Sequence, residues 1–246
     1  MNRFLSLLLI ACLLVLPSGA AGQEPETTRY DPYFDDAVFI GDSITHQLHT
    51  YVLGLRKEDE TAFPGLRFLH STSYTISAAL RTRTGSRAEL TYRGRAVTVR
   101  DALKRMDAGK VLLMLGINDH AGKFMETDVD RYSRLIDLVK AAAPGITIIA
   151  VSVTPMTQNG QKISFKQHHV DAFNERLKQL TQEKGILYLD LASPLKDEAG
   201  FLNLSYSSDD EIHFNKAGLA VVVTTLRRFA QAQFESGAWA PEGGSK

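Results

Sequence analysis

Cysteine is nearly absent: the 246-residue chain has one, Cys12. Once the N-terminal segment holding it is removed, a disulfide framework, a thiol nucleophile and a cysteine-ligated metal are all excluded. Neither sign of charge is in excess, with 28 Lys and Arg against 28 Asp and Glu. The basic stripe of a nucleic-acid binder is therefore missing, and no nucleic-acid partner is expected. No apolar run is long enough to favour a stable membrane span. No internal repeat or low-complexity block divides the chain. A protein without disulfides must be held by its core, which this length permits for one α/β domain.

What is present begins with a leader. Arg3 gives a positive start, Phe4 to Leu16 is almost wholly apolar, and Pro17 to Gly22 is a small-residue exit. Residues 1–22 therefore read as a secretory signal peptide, and the mature protein is expected to be secreted or extracytoplasmic. Leu9-Ile10-Ala11-Cys12 resembles a bacterial lipobox, but the apolar run continues to Leu16, where a lipidated protein turns polar. Lipid anchoring at Cys12 is not expected. Residues 30–237 form the expected domain, entered through a polar, loop-like stretch up to Asp36, and 238–246 read as a loose tail.

Along the domain, apolar β-branched runs alternate with helical spacing. Ala37–Ile40, Leu66–Leu69, Lys110–Leu115, Ile146–Val153 and Ile186–Leu189 read as strands, the first and third of them buried. Helices are predicted at 44–55, 129–143, 165–184 and 215–234, with short ones near 76–80 and 101–106. A small hairpin is predicted within 88–99, Arg56 to Thr61 reads as a solvated charge run, and 190–210 as irregular. Strands alternating with helices need crossover connections, hence a parallel sheet covered on both faces. The expected fold class is α/β, a three-layer α/β/α sandwich with a mostly parallel sheet.

Polar loops follow three of the strands, at Ser43, Ser73 and Asn118, and a fourth polar cluster, Ser208 to His213, precedes the last helix. Open α/β sheets hold ligands in the crevice at the C-terminal ends of their strands. Acyl transfer needs a nucleophile, a base, a carboxylate to orient the base, and donors for an oxyanion. Ser43, His213, Asp210 and Asn118 are the right residue types for those four roles. Asp210 and His213 lie three residues apart, which puts the carboxylate within one turn of imidazole Nδ1 and leaves Nε2 for Ser43. Each residue has a plainer reading: Ser43 as a helix cap, Asn118 and Asp42 as turn residues, His213 as an exposed residue near a helix start.

Gly41-Asp42-Ser43, Gly116-Ile117-Asn118-Asp119 and Asp210-Glu211-Ile212-His213, in that order over nearly the whole mature chain, resemble the GDSL, or SGNH, hydrolases. The resemblance implies a flavodoxin-like fold and a secreted esterase or lipase; no cofactor or metal is expected. It implies Ser43 as nucleophile, His213 as base, Asp210 as its orienting acid, and Asn118 and the Ser43 N–H as oxyanion donors. The family usually carries a glycine after the second strand as a third donor. Here the loop is Ser71-Thr72-Ser73-Tyr74-Thr75, and Ser73 is the best placement for that donor.

The sequence shows no long apolar lid, and polar stretches such as Gln158-Asn159-Gly160-Gln161 and His168-His169 suit an acylated glycan or small molecule. The expectation is a small-acyl esterase acting on a carbohydrate or cell-wall polymer. The alternatives are a lysophospholipase or thioesterase of the same family, a secreted binding module without turnover, and a metal-dependent hydrolase using His168 and His169. The last lacks a metal-binding helix spacing such as His-Glu-x-x-His.

Overall fold

Continuous apolar runs make strands buried on both faces; three of these and two partly buried edge strands pair here as one parallel sheet. The computed structural model describes residues 28–85 and 87–240. In chain order the elements are β1 (Ala37–Gly41), α1 (Ser43–Glu58), β2 (Arg67–His70) and α2 (Ile76–Ala79). The hairpin β3 (Leu90–Tyr92) and β4 (Arg95–Val97) follows, then α3 (Val99–Met106), β5 (Lys110–Met114) and α4 (Met125–Ala142). The chain closes with β6 (Thr147–Val151), α5 (Gln167–Lys184), β7 (Leu187–Leu189) and α6 (Lys216–Glu235).

The sheet order is β2-β1-β5-β6-β7, every pair parallel. Setting the separate β3–β4 hairpin aside, this is the flavodoxin-like order 2-1-3-4-5. Helices cover the sheet, α1 packing against α6, and α4 against both α3 and α5. The three-layer α/β/α architecture expected from the sequence is the one observed. The chain leaves β1 toward β2 on one side and then crosses to β5 on the other. The reversal lies between β1 and β5, so their C-terminal ends open the crevice of such a sheet. Val38 to Ile40 and Val111 to Leu113 are fully buried and fix both strands in the core.

Gly41 ends β1 because nothing larger fits. A Cβ there would lie 2.0 Å from Thr45 Oγ1 and 2.8 Å from the Met114 carbonyl oxygen. Overpacking of this kind typically costs about 1–3 kcal/mol. Gly41→Ala is therefore expected to lower the free energy of urea unfolding by about that amount. An unfolding free energy equal to that of the wild type would show that the first turn of α1 yields freely.

The structure departs from expectation at both ends of the domain. The polar stretch before β1 is not a loose leader: residues Thr28–Phe34 form 3₁₀ turns. Its Asp31 is fully buried and accepts from Arg227 Nε and Nη2 at 3.0 Å each and from the Phe63 N–H at 3.2 Å. Burial pushes the Asp31 carboxyl up, against the opposing pull of Arg227. Residue 239 was expected in the tail, yet the Trp239 ring packs edge-on against Tyr33 with centroids 5.4 Å apart. Helix α1 also runs three residues into the expected charge run, as far as Glu58. Arg56 turns back to donate to the Ala62, Phe63 and Leu66 carbonyls. The expected signal peptide, with Cys12, and residues 241–246 lie outside the described residues. Among the described residues no helix is long and apolar enough to cross a membrane.

Candidate active site

Ser43 is the first residue of α1, directly after the end of the central strand β1. The cap of that helix is Asp42, whose Oδ1 accepts the Ile44 N–H at 3.0 Å. The capping role that would have explained Ser43 is therefore taken by its neighbour. The Ser43 hydroxyl instead lies 3.0 Å from His213 Nε2, across 170 residues of chain.

His213 belongs to the segment that leads into α6. Its Nδ1 lies 2.5 Å from Asp209 Oδ2. With Nδ1–H donating to that carboxylate, Nε2 is left as an acceptor and the Ser43 O–H donates to it. Asp209 Oδ1 accepts the N–H groups of Glu211, Ile212 and His213 at 2.8, 3.1 and 3.1 Å. Burial raises the Asp209 carboxyl, but the bonds from His213 and from the Glu211 and His213 amides outweigh it. The net displacement is downward, so the group stays ionised beside the imidazole.

This corrects the expectation for Asp210. Its backbone is left-handed, with φ of 58°, which turns the side chain away from the imidazole. Its Oδ2 accepts from Asn159 Nδ2 at 2.8 Å, and its carbonyl accepts from Thr157 Oγ1 at 2.5 Å. The three-residue reach assumed a helical turn, whereas 209–213 is a loop folded over the Asp209 carboxylate. The available signal was that an Asp readily bonds backbone N–H groups two or more residues onward. Asn159, expected as a polar surface for a glycan, instead braces this loop. Lys162 reinforces the brace through an ion pair to Glu211 at 2.5 Å.

Asn118 lies on the 3₁₀ turn Ile117–Asp119 after β5. Its Nδ2 donates to Asp42 Oδ2 at 2.7 Å and lies 3.5 Å from the Tyr74 carbonyl. The amide is thereby tied to Asp42, the residue before the nucleophile, and Asp42 joins the nucleophile's turn to the Asn118 turn. Asp42 is almost fully buried. Burial pushes its carboxyl up to about 6, despite the Ile44 and Asn118 bonds that favour the charge. Asp119 completes the frame: its Oδ2 accepts the Ile76 N–H at 2.8 Å, tying this turn to the loop after β2. Burial likewise raises Asp119 to about 6. In sequence Asp42 reads as a turn residue, and Asp119 carries no local sign of this role.

Ser73 lies in the loop after β2 with φ of 56°. That left-handed conformation is the one glycine adopts without cost and other residues rarely take. Ser73 thus has glycine-like backbone geometry at an exposed position without being glycine. His168 and His169 stand at the start of α5 with rings 4.3 Å apart, and His169 Nδ1 accepts the Lys166 N–H at 3.2 Å. Among the described residues no three His, Cys, Asp or Glu side chains form a group suited to a metal ion.

The arrangement can do acyl chemistry: a hydroxyl at a helix N-terminus, a base on it, a carboxylate behind the base, and an amide alongside. The sequence model of the GDSL-like Lipase/Acylhydrolase family matches residues 39–221, which include every one of these groups. No curated protein matches the chain. Among solved structures it is similar to a GDSL-like lipase from Bacteroides thetaiotaomicron, at 18% identity and a TM-score of 0.61, over 80% of this chain and 87% of that one. A carbohydrate esterase family 3 structure from Talaromyces cellulolyticus is similar at 12% identity and TM-score 0.55, over 81% and 98%. An acetyl esterase mutant holding an acetate ion is similar at 14% identity and TM-score 0.54, over 82% and 99%. At these identities the likenesses speak for the fold; the family match speaks for the chemistry. The chain belongs to the GDSL-like lipase/acylhydrolase family and is a carboxylic ester hydrolase.

Proposed function

We propose that the protein is a secreted serine esterase that removes small acyl groups, acetyl foremost, from a carbohydrate or cell-wall polymer. The observation that carries the mechanism is the hydrogen-bonded chain from Ser43 Oγ through His213 to Asp209. Ser43 Oγ attacks the ester carbonyl while His213 Nε2 takes its proton, and Asp209 stabilises the imidazolium that forms. The oxyanion is received by the Ser43 N–H at the positive end of α1, the Asn118 amide and the Ser73 N–H. His213 then returns the proton to the departing alcohol, and water repeats the sequence on the acyl-serine.

Support for a small acyl group comes from the sequence, which shows no long apolar lid. Two of the fold's relatives, a carbohydrate esterase and an acetyl esterase, act on substrates of this class by their names. Secretion rests on the leader alone. A second reading, a lysophospholipase or thioesterase, has one observation in its favour: a groove of about 580 Å³ between α1 and α6, lined by His46, Tyr51, Leu55 and Leu219. Its near end lies one turn beyond Ser43.

A chain-length series of p-nitrophenyl esters, run beside acetylated xylan and acetylated peptidoglycan, decides between them. The expected result is highest kcat/KM on acetate, a steep fall by octanoate, and acetate release from one of the polymers. Preference for decanoate or longer would replace the small-acyl reading with the second one.

A further inference from the structure

Ser43 and Gln47 are four residues apart on α1 and so share one face of the helix. Facing them are two consecutive residues of the segment before α6. Ser43 Oγ meets His213 Nε2, and one turn further along, the Gln47 side chain meets the backbone of Phe214. Gln47 Nε2 donates to the Phe214 carbonyl at 3.2 Å, and the Phe214 N–H donates to Gln47 Oε1 at 3.1 Å. A side-chain amide is thus paired with a peptide group in both directions, as a neighbouring strand would be.

The peptide has few other options. Around Phe214 a short antiparallel bridge to Ser207 is closed by the Ser208 N–H on the His213 carbonyl and the Asn215 N–H on the Tyr206 carbonyl, both at 2.9 Å. Those bonds leave both polar groups of Phe214 to Gln47, while its ring is buried in the core. The brace from Thr157, Asn159 and Lys162 acts on residues 210 and 211. The Gln47 pair links the residue next to His213 to the helix that carries the nucleophile.

We propose that Gln47 is a positioning residue for hydrolysis: it locks the His213 segment in register with α1, so that Nε2 stays within reach of the Ser43 hydroxyl. It touches no reacting atom, and the inference rests on Ser43 and His213 being nucleophile and base. A misplacement of about 1 Å at such a contact can cost about 100-fold in rate, whereas ground-state binding of the ester does not depend on it.

The experiment compares Gln47→Met, which keeps the length and loses both bonds, with Gln47→Glu, which keeps only the acceptor for the Phe214 N–H. For Gln47→Met, kcat on p-nitrophenyl acetate is expected to fall about 10- to 100-fold with KM little changed. For Gln47→Glu, which keeps one of the two bonds, kcat is expected between that of Gln47→Met and that of the wild type. In a His213→Ala background Gln47→Met should cost nothing further, because a positioning residue acts only through the base it positions.

Wild-type kcat in Gln47→Met, or an equal loss in the His213→Ala background, would overturn the inference. If Gln47→Met does not fold, Gln47→Glu carries the test, and full wild-type kcat in it overturns the inference. A Ser43→Ala variant assayed alongside separates the two failures. Full activity there means the nucleophile was misassigned, while an inactive Ser43→Ala beside a fully active Gln47→Met means that Gln47 only fills a hydrogen-bonding vacancy.

Discussion

Ser43→Ala is expected to lose about 10⁶-fold in kcat on p-nitrophenyl acetate, since removing the nucleophile of such a unit costs about as much as removing the whole of it. The fold should not notice. Alanine at the first position of α1 is a good helix former, and the cap that starts the helix belongs to Asp42, not to the lost hydroxyl. The hydroxyl's one strong partner is Nε2 of the partly exposed His213 side chain, which water can satisfy in its place. The same unfolding midpoint is therefore expected in both proteins. A fluorophosphonate should label the wild type once per chain and leave the variant unlabelled. A variant that hydrolyses the ester at the wild-type rate would remove the nucleophile assignment and everything built on it.

The parts of this molecule legible in its sequence are those whose signal is local. The strands β1, β5 and β6 could be read because each is a short apolar run buried on both faces, and α4, α5 and α6 because their apolar residues recur at helical spacing. Parallel pairing then followed from the alternation itself, and the crevice from the pairing. What escaped depends on partners distant in sequence. Residues 28–34 look like a polar lead-in, yet Tyr33 and Phe34 pack into the core and Asp31 accepts from Arg227, 196 residues away. Trp239 looks like the start of a tail until Tyr33 is seen beside it. Within the site, residue types and strand ends located Ser43, Asn118 and His213. The roles of Asp42, Asp119 and Gln47 were hidden, because each acts by bonding a loop that the sequence does not place next to it. Ser73 is a different case: its position followed from the loop, but a left-handed serine carries no local signal. The acid behind His213 was missed for a conformational reason. A spacing of three suits a helix, and residues 209–213 are not one.

The most discriminating substitution follows from that miss. Asp209→Asn is expected to lower kcat by about 10⁴-fold, the cost typical of replacing the orienting carboxylate by its amide. Asparagine can still accept the amides of Glu211, Ile212 and His213 through its one carbonyl oxygen, so the loop keeps its shape. What changes is the atom facing Nδ1. An amide placed there donates where a carboxylate accepts, the imidazole takes the wrong tautomer, and no negative charge remains to stabilise the imidazolium. Asp210→Asn should change kcat by no more than about 2-fold. It is an exposed residue whose bond to Asn159 the new amide oxygen can keep, and substitutions of that kind seldom exceed about 0.5 kcal/mol. Steady-state kinetics on one acetate ester, with both variants at equal loading, measures the contrast. The opposite pattern, a large loss at Asp210 and a small one at Asp209, would mean that the loop turns over when substrate binds and brings Asp210 onto Nδ1. It would restore the role implied by the Asp-x-x-His spacing.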